Sequence, residues 1–386
     1  MPTVVTTSRG TGTLNTETRR ARDVSPSLFQ LDPMEGPLLQ MLGQVKKREA
    51  TDPKIEWFED ELNPRHVALS ASLTAAATTM SVDNPTYLRA GDLLKAPSGE
   101  VIRVGTTPTA NPVTIVRAVG ETSGVAASSG DSLFIFSNAH AEGAGKRALL
   151  STQRVPVFNY CQIIRTGFGW TETAKATKQF AGQDPAEEKA KKLLEQKRDI
   201  EQSLWFGERA EDTSGTHPRR MSRGIFQFIT TNSKNVANLT EEEFEDYMRV
   251  CFRYNSSAGA QKVFFGSPLL MTVMNRWARG RLQTVNGEQS YGVTMTELQS
   301  AGRKVRLVEH PLFTNDNLND LTGKAGYGAT LDMADLELRY MRGKIVGLRE
   351  NIQTPGDDLE EHEYVSEVGL EMHLEKRHGE LTGVTN

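Results

Sequence analysis

Between Pro185 and Phe206 apolar side chains recur at spacings of three and four: Ala186, Ala190 and Leu193, then, after Lys197 interrupts the row, Ile200 and Leu204. Lys191, Lys192, Glu195, Arg198 and Glu201 fill the other faces, so the period predicts one helix with a narrow buried stripe and a rod otherwise wet. Both ends are punctuated. Asp184 is an N-cap, Pro185 suits the first helical position, Glu187 and Glu188 favour the positive end of the dipole, and Gly207 supplies a stop. Such a helix is roughly 33 Å long, about the width of a small domain. Its expected core positions are Ala190, Leu193, Ile200 and Leu204.

The rest of the chain alternates between helical and strand texture. Leu38, Leu39, Met41 and Leu42 predict a short amphipathic turn of helix, and Trp57 a packing anchor. From His66 to about Gly145, short β-prone runs (TTMSV, DLLKA, EVIRV, VTIVRAV, SLFIF) are separated by glycine-bearing turns. About five or six strands in so short a stretch predict a small sandwich or barrel. After Gly207 a polar, turn-rich stretch carries Arg219, Arg220 and Arg223, read as a loop. Thr240 and Glu243 form a capping box that opens a helix with Phe244, Tyr247, Met248 and Cys251 on one face. KVFFG is a buried strand. Ser267 and Pro268 then start a helix that turns Leu270, Val273, Met274 and Trp277 inward and ends in Arg276, Arg279 and Arg281. Strands in RKVRLVEHP and YGATLDMADLELRYM complete a pattern of mixed sheet covered by helices. In the last strand Val368, Leu370, Met372 and Leu374 alternate with Glu367, Glu371, His373 and Glu375, which predicts one buried and one charged face.

Charge and composition narrow the function classes. With 45 Lys+Arg against 49 Asp+Glu the formal net charge is -4, which lacks the global basic bias of a dedicated nucleic-acid binder. Residues 1 to 27 differ: they are Thr- and Ser-rich, lack apolar periodicity, and carry Arg9, Arg19, Arg20 and Arg22, so alone they are expected to be disordered. No apolar run approaches the length of a membrane span and MPTVVTTSRG has no signal-peptide core, so a cytosolic product is expected. The two cysteines, Cys161 and Cys251, make neither a disulfide framework nor a metal pattern.

No catalytic constellation emerges. Where a phosphate loop ending at Lys146 needs Gly and Ser or Thr, the chain has His140 and Arg147. His362-Glu363 has Ser366 where a zinc-protease helix needs its second histidine, and His373 and His378, five apart, fall on opposite faces of a strand. Gly167-Phe168-Gly169 lacks the third glycine of a dinucleotide site. No enzyme, cofactor or metal is therefore expected.

The run NYCQIIRTGFGWTETAKATKQFAG followed by the charged helix ending KRDIEQSLWFGE, together with KIEWFEDELNP, GVTMTELQSAGRKVRLVEHPLF and DMADLELRYMRGK, resembles tailed-bacteriophage major capsid proteins of the Hong Kong 97-type fold, of the SU-ten-like group. The resemblance implies an α+β capsid fold with an N-terminal arm (1–56), an extended loop with a β-rich insertion (57–150), a peripheral domain (151–223 and 350–386, with the spine helix 185–206) and an axial domain (224–349). It implies a homo-oligomer of hexamers and pentamers forming an icosahedral shell around phage double-stranded DNA, built in the host cytoplasm with scaffold and portal proteins, with or without a decoration protein. An encapsulin-like compartment is the alternative. Arg19, Arg20, Arg219, Arg220, Arg223, Arg279 and Arg281 are the candidates for inter-subunit or DNA-facing positions. Some capsids of this fold form Lys–Asn isopeptide bonds; Lys95 is given no such role.

Overall fold

The computed structural model of the chain describes residues 36–45, 47–177, 185–254, 261–281, 285–290, 293–300, 303–314 and 325–385. Of the expected arm, residues 1–56, only 36–45 and 47–56 are among them. Two compact units are present: Met1–Glu56 with Phe158–Asn386, and Trp57–Val157.

Among the described residues the first unit holds two large sheets and a two-stranded one. A five-stranded sheet runs in the order Lys47–Ala50, Leu336–Met341, Leu359–Met372, Gln162–Thr171, and Gly347–Arg349 also pairs with Leu359–Met372. The fourteen-residue strand Leu359–Met372 is its spine, antiparallel to Gln162–Thr171 from Gln162↔Val368 to Thr171↔Leu359. Its edges are paired by the neighbouring strands, and the expected charged face is corrected: Glu367 and Glu371 are buried, as are Val368, Leu370 and Met372. The cost of burying carboxylates is met by partners, Lys344 for Glu367 and Arg339 with His373 for Glu371. The alternation also stops early, since Leu374 turns into left-handed backbone (φ 52) and the chain bends.

The long helix Pro185–Phe206 forms over the span its periodicity and caps predict and lies against this sheet. Its buried side chains are Gln196, Ile200, Glu201, Leu204 and Trp205. Ala190 is exposed and Leu193 only half-buried, which corrects the expected stripe. Both precede the stretch Gln196–Trp205, which carries all the buried side chains of the helix. Polar residues take the places left open: Gln196 donates to Ile164 O (3.1 Å) and Ser366 Oγ (3.0 Å), so its amide is buried with partners.

The second sheet of this unit has seven strands in the order Ser233–Asn235, Gly379–Thr382, Gly328–Leu331, Gln261–Gly266, Arg303–Glu309, Val293–Ser300, Val285–Ser290. It is mixed, with Gln261–Gly266 parallel to Arg303–Glu309 across the helix Pro268–Arg281, as a crossover connection requires. Helix Glu241–Cys251 carries both arms of its capping box, and Ser267 Oγ accepts from Leu270 N (3.1 Å) at the start of the other helix. Phe244, Tyr247, Met248, Cys251, Leu270 and Met274 pack with Phe264 in one core. The chain's last strand, Gly379–Thr382, belongs to this sheet and not to the one beside the long helix, so the C-terminal segment is shared between the two.

The second unit is a small antiparallel barrel. Its strands run in the order His66–Ala68, Ser132–Asn138, Asp92–Lys95, Val101–Val104, Val113–Val116, Thr79–Met80. A bridge between Leu69 and Val82 joins the first strand's end to the last, which decides for a barrel over a sandwich. Inside are Val67, Leu94, Ile102, Val113, Leu133 and Ile135. Glu100 is buried at one end against Arg117 (2.5 Å), whose guanidinium also donates to Thr74 O and Val125 O.

Candidate assembly surfaces

The best-defined polar arrangement in the first unit is an anchor, not a reaction centre. Glu201, on the long helix, is fully buried, and four donors converge on its carboxylate: Leu38 N (3.1 Å), Trp205 Nε1 (3.0 Å) and His310 Nε2 (2.7 Å) on Oε1, and Leu39 N (2.6 Å) on Oε2. Two of these donors are free amides at the start of the short helix Pro37–Val45, where a carboxylate is favoured by both hydrogen bonding and the helix dipole. A Cβ at Gly36 would meet the Glu201 side chain at 2.4 Å, so glycine is required there. Around the anchor, Trp205 packs edge-on to Phe265, Phe313 and the His310 ring, which stacks on Phe313 at 4.1 Å. The helical period puts Glu201 on the wet side, and the structure corrects it; the signal that could have found the anchor is the EQSLW run, which sets Glu201 and Trp205 four apart on one face.

The basic candidates separate. Arg219 and Arg220 sit on a strand, Arg219–Met221, paired with Ala210–Asp212, so this stretch is a hairpin where a loop was expected. Arg219 is exposed, while Arg220 is held by Glu211 (2.9 Å), which also accepts from Tyr160 Oη (3.0 Å). Burial first, then the Glu211 carboxylate, pushes the Tyr160 pKa up. Arg223 is half-buried, donates to Gln227 O (2.7 Å) and lies over the Phe228 ring at 4.4 Å, and burial lowers its pKa. That position ties the side chain to the helix Ile225–Phe228. Arg19 and Arg20, and the side chains of Arg279 and Arg281, lie outside the described residues.

Two apolar surfaces stand bare. In the second unit Phe58 is 69% exposed, Leu62 94%, Leu149 86% and Val155 60%. In the first, Ile163 and Leu348 are exposed on the five-stranded sheet, and the exposed Ile352 lines a groove of about 520 Å³. Gly167 and Gly169 line the groove with Trp170, Ile352, Leu359, Glu361 and Glu363. A Cβ on Gly169 would come within 2.6 Å of Glu360 O, which explains one glycine of the TGFGW run as close strand packing.

The two cysteines are packing residues. Burial drives the Cys161 thiol up to about 12 and the Cys251 thiol to about 11, so both stay protonated. Among the described residues no group of three or more His, Cys, Asp or Glu is placed to hold a metal ion, and no helix is long and apolar enough to cross a membrane.

Comparison with known proteins supplies the family. The SU10 major capsid protein model matches residues 5–385. The major capsid protein of Pseudomonas phage PaMx41 is 24% identical over 346 residues, covering 86% of this chain and 81% of that one. Among solved structures, that of Microbacterium phage Oxtober96 aligns with a TM-score of 0.45 at 9% identity over 95% of this chain and 96% of its own. The holo-SrpI encapsulin complex from Synechococcus elongatus PCC 7942 aligns with 0.44 at 12% identity over 60% of this chain and 78% of its own. The family match runs nearly end to end and places the chain plainly: this protein belongs to the SU10 major capsid protein family.

Proposed function

We propose that the chain is the major capsid subunit of a tailed phage, with the Hong Kong 97-type architecture, and that its copies join as hexamers and pentamers in an icosahedral shell around double-stranded DNA. The family match over residues 5–385 carries this reading. On it, residues 1–56 act as arm, 57–150 as extended loop with the barrel inserted, 151–223 and 350–386 as peripheral domain, and 224–349 as axial domain. Scaffold and portal proteins serve assembly, and the virion is the final location. The protein acts by geometry alone: many modest contacts on one subunit add to a durable lattice because each is made while the others hold.

Exposed apolar side chains support the same reading. Leu62 and Leu149 are almost fully in water in the single chain, a cost a second copy relieves at about 25 cal/mol per Å² covered. Two unlike surfaces on one chain make a head-to-tail contact, which closes into rings. Negative-stain microscopy of the purified protein, with an absorbance spectrum of the particles, tests it. Closed shells with six- and five-fold clusters are expected; a monomer at all concentrations overturns the proposal. Shells that enclose a protein cargo and never nucleic acid would instead establish the encapsulin-like alternative.

A further inference from the structure

The outward face of the barrel carries two exposed phenyl rings and two exposed cations. Along the strand Ser132–Asn138, Leu133 and Ile135 point in while Phe134 and Phe136 point out, 42% and 40% exposed. Pairing fixes what lies beside them. Phe134 is opposite His66 on one side, ring centroids 5.1 Å apart, and opposite Lys95 on the other. Arg103 follows one strand further on, opposite Leu93. Lys95 and Arg103 are exposed, and neither side chain has an ion-pair or hydrogen-bond partner among the described residues. The only carboxylate in the barrel strands, Asp92, is turned inward, buried, and bound by Arg147 (2.5 Å) and Arg89 N (2.8 Å).

We propose that this face is a stacking platform for single-stranded nucleic acid, in which Phe134 and Phe136 each receive a base while Lys95 and Arg103 meet the phosphates. The spacing suits that ligand. Residues two apart on a strand are about 6.7 Å apart, roughly twice the ~3.4 Å rise of a stacked nucleic-acid strand, so an extended strand presents successive bases to successive rings. Every base has a π face, so the platform reads no sequence. A duplex cannot use it, because its bases are already stacked on each other. A ligand held by charge alone has no use for two bare phenyl rings beside the cations, and an apolar protein partner has no use for the unpaired lysine and arginine. The face belongs to the barrel alone, so the proposal stands or falls independently of shell formation.

Fluorescence anisotropy on the full-length protein separates these cases, with three labelled probes matched in number of phosphates: oligothymidylate, the same sugar-phosphate chain without bases, and a duplex of half their length. Oligothymidylate is expected to bind at least tenfold more tightly than the abasic chain or the duplex. Phe134→Ala and Phe136→Ala each lower its affinity about tenfold and leave the abasic chain unaffected. Phe136→Trp, which keeps a stacking surface, retains binding. Lys95→Ala with Arg103→Ala weakens both single-stranded probes and flattens their dependence on salt. Equal binding of thymidylate and abasic chains, no binding of thymidylate at low salt, or an unchanged affinity in a phenylalanine variant that melts like the wild type, overturns the proposal. Should both alanine variants melt early, Phe136→Trp and Phe136→Ser decide: retention in the first against loss in the second supports the platform, and equal affinity in the two overturns it.

Discussion

Glu201 Oε1 lies 2.7 Å from His310 Nε2, and neither side chain is reached by solvent. The first comes from the long helix and the second from the turn after strand Arg303–Glu309, so one hydrogen bond joins elements 109 residues apart. His310 Nδ1 has no partner among the described residues. A carboxylate oxygen only accepts, so Nε2 is the ring nitrogen that carries the proton in this bond.

Removing the acid strands four donors at once. Glu201→Ala is expected to destabilise the fold by about 3 kcal/mol, read as a lower urea midpoint. Glu201→Gln should cost less, since an amide oxygen still accepts. A double-mutant cycle with His310→Ala should show coupling above about 1 kcal/mol. Additive losses would mean that the two side chains act separately.

The long helix meets the sheet through its second half. Leu204→Asp places an unpaired charge at a site with 1% exposure and should cost on the order of 4 kcal/mol, with no particles in micrographs. Ala190→Asp, by contrast, stays in water and should leave the melting temperature within a degree or two. Equal behaviour of the two would contradict the orientation of the helix.

His378 makes the fold acid-sensitive in a defined window. Its Nδ1 accepts from Asp332 N (3.3 Å) and Nε2 donates to His373 O (3.2 Å), a neutral tautomer in a fully buried site. Burial lowers its pKa to about 4, against about 6.5 in the unfolded chain. The unfolded state therefore binds the extra proton first, and stability is complete above about pH 6.5 and falls toward pH 4. The neighbouring His373 has the opposite sign: Glu371 holds its pKa up, so its contribution is complete below about pH 6.5 and does not change in this window. The unfolding free energy from denaturant titrations across the window should fall by at most about 3 kcal/mol, and His378→Gln should flatten the fall.

Assembly and folding should separate at the bare apolar residues. Leu62→Ser and Leu149→Ser touch nothing that needs them in the single chain, so unfolding should shift by less than about 0.5 kcal/mol. Shell yield, scored by sedimentation, should collapse if a second copy covers them. Undiminished shells would remove these side chains from the contact.

Local pattern determined much of this molecule. The helix from Pro185 to Phe206, the capping box at Thr240 and Glu243, the Ser267–Pro268 start and the run of short strands were all legible, because caps, turns and short-range periodicity act over a few residues. The family was legible too, through runs that survive as words in the sequence.

What only the tertiary structure decided is where each face points and what offsets buried charge. Whether Glu201, Glu367 or Glu371 is wet depends on partners more than twenty residues away or on strands that flank from other parts of the chain, and no period of 2 or 3.6 records them. Whether six strands close into a barrel depends on one bridge, Leu69 to Val82. The sequence by itself set the elements and the family; the fold set their environments, because burial is a property of what lies opposite, and that is chosen by long-range packing.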